Sequence, residues 1–316
     1  MTEPILDHYS ETSPPVKPRI PEPSSTHLFL VCFTLFLLGS ALSLLIPMIL
    51  GWPMPPVINE YSDMTQRFQV RVQLGLSHLL GFCMAGLLTV RLFYKGYSDN
   101  SPDWRDYLML RRMPSITQLV LGVLLILVSV PLVLYTFSIN KLIPLPDMLK
   151  MMESDTASAL KGLLIMDNIW ELLLNLTIIA VLPAIGEELV FRGILQRQLM
   201  RHIKSPWLAI VLSAAIFSAI HFQFEGFLPR FILGIILGWL YWQTRNFWVP
   251  VMAHFANNAL QVIGQYLYGK QISTVDLEQD VEVPWHFAVM SIFLIFVVAR
   301  LMIKLKSTGE HDVIAQ

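Results

Sequence analysis

Glu187 and Glu188 stand side by side inside an apolar run, with Arg192 one helical turn further on. A charge at the centre of a membrane span costs about 2.5–3.5 kcal/mol on insertion scales, so each of the three needs a reason to be there. On a helix Glu188 and Arg192 are i and i+4, share a face and can pair. Glu187 lies about 100° further round and cannot share that partner. One carboxylate is then neutralised locally, and the other is left for a different task. Pro183 removes a backbone hydrogen bond just before the pair, which predicts a kink there.

Histidine supplies the next layer. His221 closes the apolar run 207–222, and His254 opens the run 248–267, with Asn258 one turn on and on the same face. An unpaired Glu, two His and an Asn on three polar spans are the set for activating a water and stabilising an oxyanion. Glu187, His221 and His254 would also serve as zinc ligands, whereas the Asn suits an oxyanion better than a metal. His78 has no carboxylate near it in sequence and reads as a hydrogen-bonded core histidine. His8, His27, His202, His286 and His311 fall at span ends or in tails. Gly234-xxx-Gly238 reads as a close-packing stripe. His-Glu-x-x-His, Gly-x-Ser-x-Gly and Gly-x-Gly-Asp patterns are absent.

The elements that must position these residues follow from composition. Apolar residues make up 54% of the 316 and charged residues 14%, against roughly 25% charged in a soluble domain. That excludes a soluble enzyme and a disordered chain. The net charge of −1 provides no field for a polyanion, so nucleic acid is excluded as a partner. Cys32 and Cys83 both lie in apolar runs and read as buried free thiols.

The expected fold is all-α: a polytopic membrane bundle of about eight transmembrane helices, at 28–50, 70–93, 116–139, 169–199, 207–222, 231–242, 248–267 and 285–305. The first three and the last read as lipid-facing. The middle four are overlong, short or polar, and should face protein or a wet cavity. Residues 1–26 are polar and Pro-rich and read as a disordered cytoplasmic tail. Residues 27–166 then hold three accessory helices, 167–267 the polar core, and 268–316 an acidic loop, the last span and a C-terminal tail. With the N-terminus inside, fourteen of the 22 Lys and Arg fall in cytoplasmic segments and seven outside, among them Arg67, Arg71 and Arg230. This bias predicts a multi-pass protein of the cell membrane with both termini cytoplasmic. The acidic stretch from Asp276 to Glu282 falls outside.

Glu187-Glu188-x-x-x-Arg192, Phe217-x-x-x-His221, Phe231-x-x-Gly234 and His254-x-x-x-Asn258, in that order, resemble the motifs of the CAAX-protease and bacteriocin-processing family of intramembrane proteases. That family includes the type II CAAX prenyl endopeptidases and bacterial Abi-type proteins. The resemblance covers about 167–262. It implies an intramembrane endopeptidase, described either as a zinc metalloprotease or as acting through a metal-free glutamate, on a membrane-associated protein or peptide in the lipid bilayer. It implies that Glu187 is the general base and that Glu188 and Arg192 hold the site together. His221 would hold the water or a metal, and His254 and Asn258 would stabilise the oxyanion. Two other functions would use the same residues: a non-catalytic scaffold or immunity protein of the same fold, and a proton-coupled transporter. The absence of an internal repeat gives the transporter no support.

Overall fold

The computed structural model describes residues 23–52, 58–95, 103–273 and 283–314, the last stretch with side chains to residue 305. Residues 1–22 of the expected tail and the acidic stretch 276–282 lie outside the described residues. Among the described residues all regular structure is helical: α1 Ser25–Ile49, α2 Met64–Phe93, α3 Trp104–Tyr107, α4 Ile116–Lys141, α5 Asp147–Leu164, α6 Ile169–His202, α7 Pro206–Ala219, α8 Phe227–Thr244, α9 Trp248–Gly269 and α10 Trp285–Ile314. Helices occupy all eight expected positions. Five of them, α1, α2, α4, α6 and the Trp285–Leu305 part of α10, are long and apolar enough to cross a membrane. The others depart from that pattern in the way the sequence suggests. α7 has 14 residues, and α9 carries His254, Asn257, Asn258, Gln261 and Gln265. The short helix α3 and the amphipathic α5 stand where the sequence predicts loops.

α6 is the central element. In its most apolar stretch 44% of residues are buried, against 17% in α1, 28% in α2 and 22% in both α4 and α10. The outer helices keep rows of large apolar side chains exposed, such as Leu30, Phe33 and Leu37 on α1, as a lipid-facing surface requires. α6 packs against α2, α7 and α9; α7 packs on α8; α4 backs α8, α9 and α10; and α1 covers α2.

Both helices nearest the centre contain wide π turns, in α2 at Ser77–Met84 and in α6 at Leu176–Val181 and Leu189–Gln196. Pro183 therefore does not interrupt α6. The helix runs on through it, with a widened turn directly ahead.

Arg67 and Arg71 are not loop charges. They lie on α2, buried, and Arg71 is fully inaccessible. Arg71 pairs with Glu171 and donates to the Leu163 carbonyl at 2.9 Å. Arg67 pairs with Asp167 and donates to the Ser62 carbonyl at 2.8 Å. Glu171 also accepts the Asp167 N–H at 2.7 Å, and Asn168 caps the start of α6 by accepting from Trp170 and Glu171. The cluster ties α2 to the α5–α6 junction, between residues some 100 positions apart in sequence.

Glu171→Gln would leave Arg71 buried with no charged partner, a change that costs about 3–5 kcal/mol. Asp167 is 57% exposed, so Asp167→Asn should cost about 1 kcal/mol or less. Thermal unfolding in detergent should show a large drop in Tm for the first variant and little change for the second.

Candidate active site

Glu187, Glu188 and Arg192 are all buried on α6, at 5%, 0% and 1% exposure. Glu188 and Arg192 form the expected ion pair, at 3.0 Å. The sequence does not announce the second partner of Glu188. His254 reaches across from α9, and its Nδ1–H donates to Glu188 Oε1 at 2.9 Å. A carboxylate can only accept here, so the proton must sit on Nδ1. In the neutral ring Nε2 is then a bare lone pair, and it lies 3.9 Å from Glu187 Oε2. His254 thus stands between the two carboxylates: it is anchored on one and faces the other.

Arg192 is held from a second side. Its Nη2 donates to the Gly234 carbonyl of α8 at 3.0 Å, and one turn later Gln196 Nε2 donates to the Gly238 carbonyl at 2.9 Å. The two glycines do more than pack. A Cβ at 238 would fall 2.7 Å from Gln196 Oε1, and one at 234 would fall 2.9 Å from Ala214 Cβ on α7. Their bare backbone lets α8 offer two helix carbonyls to α6 while α7 closes on the other side.

Phe217, on α7 and fully buried, is the hub that the motif spacing leaves silent. Arg192 lies over its face with Cζ 5.0 Å from the ring centre. His221 and His254 both meet it edge-on, at 5.1 Å and 6.1 Å between centroids. His221 sits just past the end of α7, half-buried, and its Nδ1–H donates to the Phe217 carbonyl at 2.8 Å. Its Nε2, like that of His254, is left as the basic atom of the neutral ring.

Asn258 is placed by Pro183. In a regular α-helix the Ile179 carbonyl would accept from the residue-183 N–H, which proline lacks. Asn258 Nδ2 supplies that donor at 3.0 Å, and its Oδ1 accepts from Asn257 at 3.0 Å. One N–H of the amide is therefore committed to backbone repair, and the expected oxyanion role has only the other to use.

Among the described residues no three His, Cys, Asp or Glu side chains, Glu187, His221 and His254 included, converge at metal-binding spacing.

α2 forms a further wall. A Cβ on Gly186 would fall 2.8 Å from both Cys83 Sγ and Phe82 Cβ, so the π turn of α2 lies directly against the residue before Glu187. Cys83 interacts electrostatically with Glu187, and His78, on the same turn, with His254 and His221. Arg230, at the start of α8, is within electrostatic reach of Glu187 and is held by the Gln223 side chain at 2.7 Å. His78 comes from a segment without a catalytic pattern, and Arg230 stands immediately before Phe231-x-x-Gly234.

Residues 169–260 match the family described as Rce1-like, the type II CAAX prenyl endopeptidases, which bears out the resemblance seen in the motifs. The chain is also similar to a Bacillus subtilis protein named "Putative membrane peptidase YdiL", with 30% identity over 101 residues. That similarity covers 32% of this chain and 41% of the relative, less than half the length of either. No solved structure matches the chain.

If Asn258 repairs the backbone at Pro183, the two residues must be energetically coupled. Asn258→Leu should destabilise by about 1–3 kcal/mol, the cost of a buried carbonyl left without a donor. In a Pro183→Ala background, where a backbone N–H is available, the same substitution should cost markedly less. A double-mutant cycle on Tm or denaturant midpoint reads the difference directly.

Proposed function

We propose that this membrane protein is an intramembrane endopeptidase of the Rce1-like kind, hydrolysing peptide bonds of membrane-associated protein or peptide substrates with a glutamate-activated water. The observation that carries this reading is Glu187: a buried carboxylate that makes no ion-pair contact on its own helix, facing the open nitrogen of a histidine whose other nitrogen is anchored. Their separation is too long for a direct hydrogen bond and suits two groups that share one water.

In the proposed step Glu187 takes a proton from that water, and the oxygen forms a bond to the scissile carbonyl carbon. The carbonyl π electrons move onto oxygen. Collapse of this oxyanion breaks the C–N bond, and the proton held by Glu187 passes to the leaving nitrogen. Glu188 and Arg192 do not react. They hold His254 in one tautomer and neutralise each other in a medium where an unpaired charge would be costly. The reaction is proposed without a metal, because the donor set does not close around one. Purified protein should keep its activity after exhaustive chelation, and chelation that abolishes cleavage with restoration by zinc would overturn that part.

The Lys and Arg distribution supports both termini in the cytoplasm of a cell-membrane protein. A cysteine introduced at Ser273, just after α9, should react with an impermeant maleimide added outside intact cells. Labelling only after permeabilisation would reverse the orientation.

The two glutamates should separate cleanly. Glu187→Gln is nearly isosteric and breaks no ion pair, so it should accumulate and melt near the parent temperature. Its cleavage should fall by the roughly 10²–10⁴-fold that a general base supplies. Glu188→Gln strands Arg192 and frees His254, so it should lose about 3–5 kcal/mol of stability as well as activity. Peptide cleavage and Tm measured side by side decide the matter. Near-normal cleavage by Glu187→Gln would contradict the assignment.

A further inference from the structure

The proposed hydrolysis needs an N–H aimed at the developing oxyanion, and most of the obvious donors are occupied. His254 and His221 each spend their ring N–H, on Glu188 and on the Phe217 carbonyl, so in their neutral forms neither has a second one. Asn258 spends one N–H on Ile179. Arg192 spends Nη2 on Gly234 and its charge on Glu188, and its Nε and Nη1 carry no hydrogen bond but stay fully buried in that pair.

His78 is different. It is a histidine with no hydrogen bond to any described residue, and its Nδ1 is buried without a partner. A buried polar atom in that state is unusual in a folded protein and calls for an explanation. The ring is not free to turn outward, because it is stacked on Phe82 at 5.6 Å with the planes 28° apart. Phe82 and its neighbour Cys83 are the residues against which Gly186 is pressed, so the residue before Glu187 fixes where this turn of α2 sits. The turn is π-helical, a distortion frequently found at functional sites. His78 also lies within electrostatic reach of both His254 and His221.

Building on the endopeptidase reading, we propose that His78 is a further catalytic residue, contributed by α2 from outside the family-matching segment, whose uncommitted ring N–H donates to the substrate oxyanion. A neutral imidazole always carries one N–H, so the role requires no change of charge. It also makes α2 part of the active site: the reacting atoms would sit between α2 on one side and α6 and α9 on the other.

The test uses the full-length protein in phosphatidylcholine–phosphatidylglycerol proteoliposomes, with internally quenched N-acylated peptides as the probe. His78→Phe keeps the stack on Phe82 but has no N–H. His78→Asn gives up the stack but places an amide N–H where Nδ1 was. The expected result is a fall of about 10²–10³-fold in kcat for His78→Phe with little change in KM, the effect of losing one oxyanion donor. His78→Asn should stay within about tenfold of the parent, and both variants should melt near the parent temperature. A merely structural role reverses the order, with Phe tolerated and Asn impaired, and that order would overturn the proposal. So would full activity of His78→Phe alongside an inactive Glu187→Gln, which would leave the endopeptidase reading standing. A parent protein that cleaves none of the probes, with Glu187→Gln no different from it, would remove the endopeptidase reading and this proposal together.

Discussion

Everything at the centre of this bundle is arranged around one buried carboxylate. Glu188 is fully inaccessible, and an ionised group there survives only if charge and hydrogen bonds inside the protein replace water. Arg192 supplies the charge from one turn along the same helix, and His254 supplies a hydrogen bond from α9. Each partner is itself constrained. Arg192 is drawn to α8 through the Gly234 carbonyl and lies over Phe217 of α7. A single charge requirement on α6 thereby fixes α7, α8 and α9, and leaves the neighbouring Glu187 with its carboxylate toward an anchored histidine.

The backbone is built to the same end. A proline inside α6 leaves a carbonyl without its usual donor, and Asn258 of α9 provides one. Widened turns flank Pro183 and recur in α2, the missing Cβ atoms at Gly186 and Gly238 let α2 and α8 approach α6 closely, and the one at Gly234 lets α7 close on α8. In a membrane core the hydrophobic effect does not pull helices together, so close approach and interhelical hydrogen bonds must do it. The polar groups of α6 supply these bonds, and the glycines make room for them.

Much of this was legible in the sequence, and for identifiable reasons. The Glu188–Arg192 pair is local, one helical turn apart, so its spacing announces it. The spans follow from run length and hydropathy, and the four ordered motifs mark the segment that matches the Rce1-like family. What stayed hidden depends on contacts between residues far apart in sequence. The Arg71–Glu171 pair joins positions 100 residues apart, so Arg67 and Arg71 passed for loop charges. The bond from Asn258 to the Ile179 carbonyl has no local signal, because it exists only once α6 and α9 are side by side. The role proposed for His78 has no local signal, because no carboxylate stands near it in sequence. α5 is not legible as a span because its 18 residues are of mixed polarity.

The central claim is that Glu188 fixes the tautomer of His254 and so turns a lone pair toward Glu187. The most direct measurement is nitrogen NMR of protein labelled with ¹⁵N-histidine, with the His254 signals assigned by a His254→Gln control. The proton should reside on Nδ1 of His254 in the parent and lose that preference in Glu188→Gln. A His254 protonated on Nε2 in the parent, or one whose tautomer is indifferent to Glu188, would contradict it.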